Sequence, residues 1–137
     1  MSPPVQRVLL CVDDRPHLLR FRESLLGKQG YIVIAATSVA AAIAKLETCW
    51  IDAVLLEYKS EGMDAEAVAF QIKKRFPNQP VILLSAYSCT PERVLWLVDE
   101  YVMKSEPIEG QVQAIERAIR SREKDAPLPE GPPVVEQ

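Results

Sequence analysis

The sequence predicts a single doubly wound α/β domain, with a parallel five-stranded sheet in the order 2-1-3-4-5. Three observations point there. Short apolar runs recur along the chain, as in Val8-Leu9-Leu10-Cys11-Val12 and Val81-Ile82-Leu83-Leu84, which suits strands buried on both faces. Between them lie segments with helical spacing of apolar residues, so strands and helices alternate. Several of the apolar runs also end on a polar residue, which is where open α/β sheets place their chemistry.

Taken in order, the first strand ends in Asp13-Asp14, and a helix follows with Leu18, Phe21 and Leu25 on one face, closed by Gly30. A second strand covers 31–35. Ser38 is a candidate N-cap for a helix carrying Val39, Ile43 and Leu46. The third strand runs through Ile51-Asp52-Ala53-Val54-Leu55-Leu56 and delivers Glu57 to the carboxyl edge. Asp64 caps a helix with Val68, Ile72 and Phe76 inward, and Pro77-Asn78-Gln79-Pro80 stops it.

The fourth strand ends at Ser85. Thr90-Pro91 starts a short helix reaching about Val98, since proline suits the first helical position. The fifth strand is Tyr101-Val102-Met103-Lys104, and the last helix begins near Pro107 with Ile108, Val112, Ile115 and Ile119 on one face. The expected organisation is an N-terminal arm at 1–5, a domain at 6–124 and a proline-rich, aperiodic tail at 125–137.

Composition narrows the function classes. A net charge of −3 leaves no basic surplus for a phosphate backbone, so direct nucleic-acid binding is not expected. No apolar run approaches the ~20 residues of a membrane span. The N-terminus lacks signal-peptide features, so a cytoplasmic location is expected. Cys11, Cys49 and Cys89 are too scattered for a zinc site or a disulfide framework. No Gly-rich phosphate loop follows the first strand, which weighs against a nucleotide-binding enzyme or phosphatase.

With that strand order, Asp13, Asp14 and Glu57 converge at one edge beside Ser85 and Lys104. Three close carboxylates repel unless a cation neutralises them. Magnesium suits such a set, preferring hard oxygen ligands at ~2.1 Å. Lys104 and Ser85 could hold a phosphoryl oxygen.

From Arg7 to Lys124 the chain resembles the receiver domains of two-component response regulators, a flavodoxin-like or CheY-like fold. The residues that carry the likeness are Val12-Asp13-Asp14, the run Asp52-Ala53-Val54-Leu55-Leu56, Gly62-Met63-Asp64, Ser85-Ala86 and Tyr101-Val102-Met103-Lys104. The resemblance implies that Asp13 and Asp14 hold Mg2+, with the acceptor side chain at 57 and a main-chain oxygen at Lys59. It implies that Ser85 and Lys104 grip a phosphoryl group delivered by a histidine kinase, and that Tyr101 is a switch aromatic.

The acceptor position, however, holds glutamate where the family has aspartate. The extra methylene moves the carboxylate roughly 1.3 Å outward, and phosphoryl transfer depends on positioning. Three readings stay open: a fixed active-like state, a phosphate-independent scaffold, and a working acceptor. Lys59 is either a solvated loop residue or an ammonium that partly replaces the metal, making Mg2+ binding weak or absent.

The spacing from Ser85 to Lys104 is shorter than the family's, so the fourth helix is expected to be truncated or displaced and the standard receiver dimer is not expected. Ser105 stands where proline is usual. His17, the sole histidine, reads as a surface residue, and Trp50 and Trp96 read as apolar anchors, with Trp96 also a candidate for an exposed patch. The expected function is a non-enzymatic, stand-alone receiver-like protein with no output domain in this chain. It would dock on a kinase or downstream effector without needing phosphorylation. The alternative is an ordinary phosphorylatable, Mg-dependent response regulator.

Overall fold

Ten elements alternate along the chain: β1 (Val8–Val12), α1 (Pro16–Gly27), β2 (Ile32–Ala36), α2 (Val39–Thr48), β3 (Ala53–Glu57), α3 (Ala65–Arg75), β4 (Val81–Ser85), α4 (Glu92–Leu95), β5 (Glu100–Met103) and α5 (Ile108–Asp125). The computed structural model describes residues 6–58, 63–86 and 91–125. Lys59, Cys89, Thr90 and the tail from 126 onward lie outside the described residues, as does the arm at 1–5. The five strands form one sheet, parallel as the alternation predicts, in the expected order β2-β1-β3-β4-β5.

The core lies in two layers because the central strands are apolar on both faces. Leu10, Val12, Val54, Leu56, Val81 and Leu83 pack with α2, α3 and Val94 of α4. Leu9, Cys11, Ala53, Leu55, Ile82 and Leu84 pack against Leu19 and Leu26 of α1 and the Ala114–Ile115 and Ala118–Ile119 pairs of α5. Neighbours in each strand thus divide between the two layers, the period of two that a pleated strand imposes. Ser38 accepts the Ala41 N–H and Asp64 accepts those of Glu66 and Ala67, so both expected N-caps form.

Two carboxylates stitch the amino edge of the sheet. Asp52 Oδ2 accepts the Val8 N–H at 2.7 Å, and Asp99 Oδ2 accepts the Val81 N–H at 2.8 Å while holding Lys73 Nζ at 2.6 Å. These bonds satisfy donors at strand starts that the ladder leaves unpaired.

Several expectations need correction. Phe21 is 59% exposed, and the inner stripe of α1 is Leu19 and Leu26. Phe21 stands two residues beyond Leu19, about 200° around the helix. The second and fifth strands are each displaced by one residue, to Ile32–Ala36 and Glu100–Met103, leaving Lys104 just past its strand. Phe76 is the C-cap of α3, only half-buried.

Trp50 is 68% and Trp96 82% exposed, so neither is a buried anchor. Trp50 instead stacks under the Arg122 guanidinium at 4.7 Å and donates its indole N–H to Asp52. α4 has only four residues, in keeping with the short Ser85–Lys104 spacing. No helix among the described residues is long and apolar enough to cross a membrane.

Two measurements check this packing. Leu83 is fully buried on a central strand, so Leu83→Ala should cost about 2–5 kcal/mol in a urea melt; a loss near zero would mean the core is looser than described. Burial pushes the Cys11 thiol up to about 12, so iodoacetamide at mildly alkaline pH should leave it unmodified in the folded protein. Half-buried Cys49 should react before Cys11, and rapid alkylation of Cys11 would contradict the two-layer core.

Candidate functional site

Parallel pairing brings the ends of β1, β3 and β4 to one edge. Val12 lies opposite Leu56, and Glu57 opposite Leu84, so Asp13, Glu57 and Ser85 end neighbouring strands. The chain is held there by backbone bonds: Asp13 N–H to Ala36, Tyr58 N–H to Leu84, and Lys104 N–H to Ser85 at 2.7 Å. That last bond fixes Lys104 beside the edge although it lies beyond β5. By alternation Glu57 follows Ala53 and Leu55 onto the α1–α5 side of the sheet.

There the Lys104 ammonium lies 2.5 Å from Glu57 Oε2. Arg15 enters from the start of α1. Its Nε lies 3.1 Å from Asp13 Oδ1 and its Nη2 3.3 Å from Asp13 Oδ2, so one guanidinium engages both oxygens of one carboxylate. The same group lies 3.9 Å from Asp14 Oδ1 and 3.9 Å from Glu57 Oε2. The Asp13 and Glu57 side chains are 5% and 7% exposed, against 34% for Arg15 and 27% for Lys104. The acids are therefore buried and the cations cover them.

Burial is the largest influence on Glu57 and pushes its carboxyl above the ordinary carboxylate range, against the hydrogen bond and charge of Lys104. Asp13 adds to the upward push and Arg22 opposes it. The hydrogen bond to Asp13 holds Arg15 still more firmly protonated than a free guanidinium. A cavity of about 20 Å³, with room for about one water, lies beside Asp13, Arg22, Glu57 and Lys104.

Of the residues singled out from the sequence, Asp13, Asp14, Glu57 and Lys104 thus meet in one cluster. Ser85 is fully buried at the end of the adjoining strand. Tyr101 is half-buried on β5 opposite Leu83, three residues before Lys104. His17 is exposed, and Lys59 lies outside the described residues. The residue missed was Arg15. Its signal was its place between the acid pair and Pro16, because the residue before a proline is held extended and so cannot turn away into the helix.

The donor set does not fit a magnesium ion as it stands. Both Asp13 oxygens carry guanidinium N–H groups, and Glu57 Oε2 carries the ammonium. Among the described residues no three Asp, Glu, His or Cys side chains are disposed to hold a metal ion.

Comparison with known proteins identifies the architecture. Residues 9–116 match the response regulator receiver domain model. The chain is 32% identical over 122 residues to the transcriptional regulatory protein GlrR of Escherichia coli strain K12, covering 87% of this chain but 27% of that protein. It therefore spans about a quarter of the length of that relative.

Among solved structures, the response regulator TrrA of Thermotoga maritima, in complex with Mg2+-BeF, aligns with a TM-score of 0.74 and 28% identity, over 82% of this chain and 99% of that one. A CheY-like receiver domain protein from Methanospirillum hungatei JF-1 shares the fold at TM-score 0.76 and 22% identity, covering 89% of this chain and all of that one.

Because the native Glu57 carboxyl titrates above its unfolded value of about 4.5, its contribution to stability is full below that pH and is lost as pH rises through the native pKa. Glu57→Gln lacks this dependence. In urea melts the native protein should therefore be at its best relative to Glu57→Gln near pH 4.5 and lose ground as pH rises toward neutrality. A relative gain on raising the pH would show that the cations outweigh burial.

Proposed function

The chain belongs to the response regulator receiver family, and from that premise we propose that it signals by protein docking in a form that needs no phosphoryl transfer. The observation that carries this reading is the contact between Glu57 and Lys104, 2.5 Å apart at the carboxyl edge of the sheet. In the family as the sequence resemblance describes it, the lysine grips a phosphoryl group on the side chain at this position. Here the longer glutamate brings a carboxylate oxygen to the ammonium directly.

The charge so delivered is about −1, against roughly −1.5 to −2 for a phosphoryl group. It therefore supplies the contact to Lys104 in part, leaving other phosphate contacts unmade. A small cavity and an acceptor displaced by a methylene both weigh against an in-line approach by a phosphoryl donor. We read the molecule as a binding module and not as a turnover catalyst. Its partner would be a kinase or effector of a two-component system, reached without direct nucleic-acid contact by this chain. A Mg2+-dependent acceptor is the alternative that the named relatives keep in view.

The test is incubation with acetyl phosphate and Mg2+, followed by intact-mass measurement of native protein and of Glu57→Asp, alone and with Arg15→Gln. Native protein should show no added phosphoryl mass, and Glu57→Asp, whose carboxylate is drawn back from Lys104 by roughly 1.3 Å, should acquire one only when Arg15→Gln also frees the Asp13 oxygens that the guanidinium occupies. A phosphoryl group on Glu57 of the native protein would overturn the reading in favour of an ordinary response regulator.

A further inference from the structure

The acidic pocket carries its own cation. We propose that the Arg15 guanidinium is the resident counter-charge of Asp13, Asp14 and Glu57, standing in the electrostatic role that the receiver family gives to Mg2+.

The backbone prepares this placement. Pro16 occupies the first turn of α1, and Arg15 before it is extended, with φ −108° and ψ 104°. Its N–H donates to Asp13 Oδ1 at 3.0 Å, which closes a short turn over the acid. Main chain and side chain of Arg15 therefore grip the same carboxylate. From that anchor the planar fork reaches all three acids, binding Asp13 with two N–H groups and lying 3.9 Å from both Asp14 and Glu57.

Geometry makes the ion and the guanidinium competitors. Magnesium needs oxygen lone pairs at about 2.1 Å in a near-ideal octahedron and gives up its waters reluctantly. The oxygens of Asp13 that would face it already accept hydrogen bonds. A divalent ion entering beside Arg15 and Lys104 would also meet two positive charges in a site where Asp13 and Glu57 are buried, so that screening there is weak. Arginine cannot relieve this by losing its proton, unlike a lysine. The charge of the acids is thus offset in part and permanently, by covalent sequence and not by the ion content of the medium.

This inference shares its pocket with the docking reading but not its evidence, and the test uses no phosphoryl donor, so either can fail alone. Mg2+ binding is measured by calorimetry, and Mn2+ binding by water-proton relaxation, on native protein, Arg15→Gln, Arg15→Ala, Lys59→Ala and the surface control Arg93→Gln. Circular dichroism verifies that each variant is folded, and Arg15→Gln retains hydrogen-bond donors should Arg15→Ala fail to fold.

The expected result is at least about tenfold tighter ion binding in the Arg15 variants than in native protein, because a nearby positive charge has been removed, with Arg93→Gln unchanged. A rise in thermal midpoint on adding Mg2+ should appear in the Arg15 variants and be absent from native protein. Native protein binding Mg2+ as tightly as Arg15→Gln would overturn the proposal. So would a gain confined to Lys59→Ala, which would assign the role to Lys59.

Discussion

A buried glutamate carboxylate held 2.5 Å from a lysine ammonium is the contact around which the functional edge of this molecule is arranged. It joins the end of β3 to the residue just past β5, two strands away across the sheet. Removing charge from water is costly, and the cost is recovered only with good geometry and further partners. Glu57 has such partners in Lys104 and, more distantly, Arg15, yet burial still prevails on its titration. A buried ion pair of this kind is weak evidence for stability. Such a contact is better explained by the shape it imposes on the pocket than by any gain in folding energy.

That shape is set by side chains of the chain itself. Where receiver domains are organised for a metal and a transferred phosphoryl group, the described side chains here already pair with one another. Three acids face Arg15 and Lys104, with Arg22 also beside the cavity of water size that remains. On the docking reading proposed above, signalling through such a domain would depend on which surface it presents. The four-residue α4 bears on the same point. It carries the ion pair from Arg93 back to Glu66 of α3, and the 82% exposed Trp96 is its C-cap.

Much of the architecture was legible because its signals are local. Apolar runs, the Ser38 and Asp64 caps and the Pro77–Pro80 stop each specify their own segment. The meeting of Asp13, Glu57 and Lys104 was legible only through topology, since the order 2-1-3-4-5 converts distant positions into neighbours. The contact of Arg15 with Asp13 was less legible, because a cluster of acids in a sequence suggests a metal and Lys59 offers a second cation.

The inner stripe of α1 was misplaced because Leu18, Leu19, Leu25 and Leu26 support two overlapping faces, and the set containing Phe21 is the wrong one. The clamps of Asp52 on Val8 and Asp99 on Val81 left no local trace, because each joins a carboxylate to a backbone N–H on another strand.

The central claim is that Glu57 and Lys104 interact directly and strongly in the resting protein. A double-mutant cycle with Glu57→Gln, Lys104→Met and the double variant, read by urea unfolding in magnesium-free buffer, measures that interaction apart from the burial cost. The account predicts a coupling of about 1–3 kcal/mol, above the 0.2–1 kcal/mol range of exposed ion pairs, about the same after 10 mM-scale Mg2+ is added. A coupling near zero, or one that vanishes on adding Mg2+, would contradict it.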